Sequence, residues 1–239
     1  MPTSTITRHH RFGYRDLPTL IGRMSGDEKH EPSAHSTLDV LWVLYDQILN
    51  VSPDRVDDPA RDRFVLSKGH GPMAYFAVLA AKGFIPVEVL DTFTDADSPL
   101  GTHPDRLLIP GVEVSSGSLG HGLPISVGIA LGLRAQGLTT SRVVCLAGDA
   151  ELDEGSNFEA MAAARAFGLG NLTVVVIDND SDTLGWAGGI SARFAVEGWA
   201  TANVYGRDHA RLSAALSVHH DGQPSVVVAH VEPPAEAVA

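Results

Sequence analysis

The 239-residue chain has a single cysteine, Cys145, so no disulfide can form within it. Cys145 sits inside the apolar run VVCLAG, and that setting points to a reducing compartment, with the cytoplasm as the expected location. No apolar stretch approaches the roughly 20 residues needed to cross a bilayer. The N-terminal segment MPTSTITRHHRFGYRDLPTLIGRM has no continuous apolar run of signal-peptide length. The chain is therefore expected to be neither secreted nor membrane-embedded. Positive charge is scarce: 17 lysines and arginines face 29 acidic residues, for a formal net charge of -12 and a pI near 5.2. That balance disfavours nucleic acid or an anionic membrane as partners, and any phosphate-bearing ligand needs a local site that overcomes the global field.

With 44% hydrophobic residues, the chain can bury one large core, and a single main domain is expected. Helical spacing of apolar residues appears at 17–25 and at 36–50, where Ser36 or Thr37 is available as a cap before Asp39. The segment MAYFAVLAAKGF predicts another helix, stopped by Gly83 in a left-handed cap with Pro86 beyond. Residues 91–118 show no period, and a long irregular stretch of this kind in a compact domain is usually functional. After it LPISVGIALGLRAQG reads as a closely packing, small-residue helix.

From Arg142 onward the pattern is strand (VVCLA), turn (GDAELDEG), helix (SNFEAMAAARAFGLG) and strand (LTVVVID). Two uninterrupted apolar strands around one helix predict a βαβ unit in a parallel sheet covered on both faces. Ser156 and Glu159 have capping-box spacing. A helix near 208–217 and a strand at 225–231 continue the alternation. The expected fold class is α/β, a mainly parallel sheet with helices on both faces.

Ligands of such sheets sit beyond the carboxyl ends of the strands. Gly148-Asp149 ends one strand and Asp178-Asn179-Asp180 ends the next, so a carboxylate and an amide oxygen can converge. Hard oxygen ligands of this kind suit Mg²⁺, above all when it also holds phosphate. Taken singly, each half is equally a common turn.

Asn179 lies thirty positions after Asp149 across a strand-helix-strand, a spacing that resembles the cofactor motif of thiamine-diphosphate enzymes. The segments FVLSKGHGPMAYFAVLAAKG, GTHPD, PGVEVSSGSLGHGLPISVGIALG and GDAELDEGSNFEA, in that order, resemble the transketolases. The resemblance runs from about residue 28 to residue 231 and implies a PP-type thiamine-diphosphate domain at 28–232, with an N-terminal arm at 1–27 and a tail at 233–239. It also implies that thiamine diphosphate and Mg²⁺ bind, with Asp149, Asn179 and the carbonyl of Ser181 on the metal. The implied cofactor contacts are His70, Gly117, Leu119, Gly148, Asp149, Ala150, Glu151 and Asn179. His30, His70 and His103 stand at the family's catalytic, substrate-side positions. Glu154 and Glu159 match acids that form a proton relay between paired sites at the subunit interface. The chain departs from the family in Ala150, in Asp180, in EKHEPS around His30, and in His121.

The glutamate that works against the cofactor's pyrimidine ring belongs, in this family, to a second domain, and the chain stops short of it. The resemblance thus implies one half of a split enzyme, partnered by a separate pyrimidine-domain subunit. The implied substrate is a sugar phosphate or related small molecule. Two readings stand beside ketol transfer: a specialised-pathway enzyme with a pyruvate-like or modified donor, and a non-catalytic chain that only binds cofactor.

Overall fold

The computed structural model describes residues 12–26 and 31–233, the side chains of 31–33 excepted. Five strands form one sheet: β1 (Arg63–Leu66), β2 (Val143–Gly148), β3 (Leu172–Asp178), β4 (Ala200–Tyr205) and β5 (Ser225–His230). Their spatial order is β1-β2-β3-β5-β4, and every neighbouring pair is parallel. The period-two geometry of a strand sends alternate side chains to opposite faces. Val144, Leu146, Val175, Ile177 and Val227 therefore join one buried cluster, while Val143, Cys145, Val174, Val176 and Val226 join another.

Helices α1 (Leu17–Ile21), α2 (Glu31–Val43), α3 (Met73–Ala81) and α7 (His209–Leu216) cover the first face. Helices α4 (Gly122–Ala135), α5 (Gly155–Ala166) and α6 (Gly189–Val196) cover the second. A parallel sheet sandwiched in this way needs apolar residues on both sides, which is why β2 and β3 read as continuous hydrophobic runs. The described part of the N-terminal segment is integral to the first layer, since Leu17, Leu20, Ile21 and Met24 are buried.

Some expectations shift. Helix α2 begins at Glu31, so Ser36 and Thr37 lie inside it rather than at its cap, and the Thr37 hydroxyl donates to the Ala34 carbonyl at 3.0 Å. The helix then widens into a π turn over Leu44–Ile48. Ser156 does not cap α5 either: extended Glu154 precedes the helix, and the Ser156 hydroxyl instead donates to the Gly120 carbonyl at 2.6 Å. Gly83 does take the expected left-handed conformation, with φ +80°. The 91–118 stretch contains neither α-helix nor strand and is fastened by buried Phe93, Leu100, Ile109 and Val112.

One polar knot ties the first layer together. The Asp39 carboxylate on α2, almost wholly buried, accepts from the Tyr14 hydroxyl (2.6 Å), Arg207 Nη1 (2.8 Å) and His209 Nε2 (2.7 Å). Burial by itself would raise this carboxyl, but the hydrogen bonds from Tyr14, His209 and Arg207 outweigh it and hold the group below the ordinary carboxylate range. Its folded-state value thus lies below its unfolded value. The stabilisation is present above about pH 4 and is lost as pH falls through the folded value. Asp39→Ala is expected to destabilise the chain by about 2 kcal/mol, between the costs for buried and exposed pairs. Chemical denaturation at pH 7 checks this, and the difference from wild type should shrink in acid.

Candidate active site

The β2 and β3 ends lie side by side, with Gly148 opposite Ile177, and both strands stop at polar residues. Asp149 is fully buried and gathers the turn after β3. Its Oδ2 accepts from the Ser181 amide (2.7 Å) and the Asn179 amide (3.2 Å), and its Oδ1 accepts from the Ala150 amide (2.8 Å) and the Ser181 hydroxyl (2.5 Å). The chain reverses tightly enough for this because Asp180 adopts φ +56°. Among residues with a Cβ, aspartate and asparagine are those that tolerate this region best, so Asp180 is conformationally suited to the position. Ala150 has no positive φ and starts a short 3-10 turn, so alanine is accommodated there without backbone strain.

The Asn179 side-chain amide lies against the Asp149 carboxylate, where its NH₂ donates to both carboxylate oxygens at 3.0 and 3.3 Å and to the Ser181 hydroxyl oxygen at 2.8 Å. Turning the amide over would bring its oxygen to the same place, where a cation could bind it together with the carboxylate. One carboxylate, one amide oxygen and neighbouring backbone carbonyls make a hard, oxygen-only donor set that fits Mg²⁺. Among the described residues no cluster of three or more histidine, cysteine or acidic side chains is arranged for a metal.

Three further loops close on this edge. His70 and His103 meet edge to face with ring centroids 4.8 Å apart. His103 also lies on Gly117, where φ is +137° and an added Cβ would stand 2.5 Å from the imidazole. Only glycine allows that approach. Gly69 is pressed equally hard on the amide of Gly117. Among the described residues the buried His103 Nε2 and Ser116 Oγ have no hydrogen-bond partner, which leaves both able to pair with a polar ligand group. Leu119 is partly exposed beside them. His30 lies outside the described residues.

Glu151, at a position the motif implies for cofactor contact, also ties loops together. Its carboxylate is buried and faces inward, accepting from the Ser67 hydroxyl, from the Gly120 amide (3.0 Å) and from the Gly148 amide (3.3 Å). Ser67 in turn accepts from the Gly122 amide at 3.0 Å. Glu151 therefore ties the ends of β1 and β2 to the 116–122 loop. Burial raises this carboxyl against the lowering effect of those hydrogen bonds. Glu154 and Glu159 point outward from the start of α5, with Gly120 packed against the Glu154 side chain.

The sequence reading missed Lys68. Its side chain lies across Gly148, where a Cβ would be 3.2 Å from Lys68 Cδ. Burial pulls its ammonium down to about 8, while Asp149 and Glu151 pull the other way. The signal was present in SKGHG, as a cation in a chain that has few, placed at the end of β1. Asp153 was also missed: it accepts from the Thr183 amide and hydroxyl and the Leu184 amide, pinning the loop after β3.

A family profile described as "Transketolase, thiamine diphosphate binding domain" matches residues 24–231. The chain belongs to the transketolase family. It is 59% identical over 220 residues to "Ferredoxin fas2" of Rhodococcoides fascians, spanning 92% of this chain and 72% of that one. It is 35% identical over 211 residues to a protein of Actinobacillus succinogenes named as one of the subunits of an apulose-4-phosphate transketolase, spanning 84% of this chain and 75% of that one. In fold it is similar to the crystal structure of a Pichia stipitis transketolase mutant, with a TM-score of 0.79 at 23% identity over 95% of this chain. The chain spans 37% of that transketolase's length. The family's thiamine-diphosphate domain thus accounts for the sheet and for the loops gathered at its β2/β3 edge.

Glu151→Leu should strand the Gly120 and Gly148 amides and the Ser67 hydroxyl, at a cost of about 3 kcal/mol. Denaturation measures that cost, and amide exchange should show residues 117–122 losing protection more than α7 does.

Proposed function

We propose that this chain is the diphosphate-binding subunit of a two-component transketolase-like enzyme, which moves a two-carbon ketol unit from a ketose phosphate to an aldehyde acceptor. The observation that carries the reading is the convergence of the Asp149 and Asn179 side chains at the carboxyl ends of β2 and β3, in a chain of the transketolase family. The Actinobacillus succinogenes relative is named as a subunit, which supports division of the enzyme between two chains.

In this reading Asp149, Asn179 and the Ser181 carbonyl would hold Mg²⁺, which would supply positive charge for the cofactor's diphosphate. His70, Gly117, Leu119, Gly148, Ala150 and Glu151 would supply the further contacts to the cofactor. Bound thiamine diphosphate supplies the electron sink that the ketol transfer needs. The remaining work falls to the chain's own groups. His103 offers its Nε2, unpartnered among the described residues, and His70 its neighbouring ring, so both can hydrogen-bond a substrate hydroxyl or phosphate and move a proton to or from it. His30 is assigned to the same task by motif alone. Glu154 and Glu159, exposed on this chain, become interface acids when a partner covers α5 and relay protons between paired sites. A separate pyrimidine-domain subunit completes the site, and two copies of each chain form a heterotetramer in the cytoplasm.

The relative that is 59% identical carries the name of an iron–sulfur protein. Iron–sulfur clusters take about four thiolates, and Cys145 alone cannot supply them.

Turnover is the test. The chain alone should show no ketol transfer from a panel of ketose phosphates, and adding a pyrimidine-domain subunit should create it. In the mixture His70→Ala and His103→Ala should each lower kcat by about 10² or more with little change in melting temperature. Ketol transfer by the chain alone would contradict the two-component reading, and a lowered melting temperature at equal rate would make the histidines structural.

A further inference from the structure

A cavity of about 420 Å³ opens at the other end of the sheet from the candidate active site. It lies where three connections enter the strands: α4 to β2, α5 to β3 and α7 to β5. Strand β3 is seven residues long, so this cavity is about 20 Å from the Asp149 edge. Its walls are fixed by glycine. A Cβ on Gly170 would stand 2.5 Å from the His220 carbonyl, and Gly168 and Gly222 bring the same two turns together.

The lining is rich in donors. Two arginines, Arg134 and Arg142, and one acidic residue, Asp221, line it, in a chain whose net charge is -12. Arg142 is committed to Asp62 and the Ile48 carbonyl. Arg134 spends one nitrogen on the Phe167 carbonyl at 2.6 Å, which leaves the rest of its fork available. Around it Thr139, Thr140, His219 and His220 line the same space. The carbonyl ends of α4 and α5 also point here and disfavour an anion. Arg134 offsets part of that by covering Phe167, so binding should be modest. The volume exceeds what a bare phosphate fills and falls in the range of small-molecule sites.

We propose that this cavity is a second ligand site, separate from the cofactor edge, that binds a small phosphate ester through Arg134 and the threonine and histidine side chains around it. The proposal does not depend on the catalytic reading. The test is a titration of the full chain with ribose 5-phosphate at constant ionic strength, followed by backbone amide NMR shifts at Thr140, Asn171 and Gly222. Saturable shifts with a dissociation constant of about 1 mM are expected, with none for ribose. Arg134→Gln should weaken binding at least fivefold, while Arg134→Lys retains most of it and Asp149→Ala leaves it unchanged. Absence of saturable shifts in the wild type, equal shifts with ribose, or equal affinity in Arg134→Gln would overturn the proposal. Each variant's melting temperature is read in parallel, and a fully folded Arg134→Gln chain is the one that counts.

Discussion

The Asp149 carboxylate is the point on which the functional edge depends. Fully buried, it is held by four donors, three of them backbone amides from the two turns that follow β2 and β3. Such bonds satisfy both oxygens of a carboxylate that has no access to water. They also dictate where the Asn179 side chain and the Ser181 backbone lie. The same group that would grip a metal is therefore the group that shapes the turn around the metal. Glu151, two residues on, does comparable work for the neighbouring loops. One short acidic segment thus organises the ends of β1, β2 and β3 and the 116–122 loop.

Glycine and a left-handed aspartate supply the complementary constraint. Gly69, Gly117 and Gly122 let three loops approach within distances that any Cβ would forbid. Asp180 turns the chain after β3 at φ +56°. Backbone conformations of this sort persist where the surrounding structure over-determines them, and they cluster at functional sites. The histidine pair rests on that framework, so its geometry derives from the loops beneath it more than from the histidines themselves.

The sequence made the layers legible, and the site in outline. The fully buried strands β2 and β3 announced themselves as apolar runs, and Asp149 and Asn179 could be placed on one edge from their spacing. β1 escaped because four residues carry little periodicity. β4 escaped because ATANVY, paired on one side only at the sheet edge, mixes small and polar residues. Cap positions were misjudged for a related reason. Ser156 has the right spacing for a capping box, but its hydroxyl finds a better-placed acceptor in the Gly120 carbonyl, a tertiary contact that no local pattern encodes. Lys68 and the inward turn of Glu151 were hidden likewise, since both depend on which loops meet across the edge of the sheet. The motif groups residues that the fold brings to one edge of the sheet, while the hydrogen bonds among them are a matter of packing.

The account stands most directly on whether Asp149 and Asn179 form a metal-dependent diphosphate site. Calorimetric titration of thiamine diphosphate in the presence and absence of Mg²⁺, on the wild type and on Asp149→Ala, measures this without any assumption about substrate. The account predicts binding that requires Mg²⁺ and disappears in the folded variant. Affinity unchanged in Asp149→Ala, or independent of Mg²⁺, would contradict it.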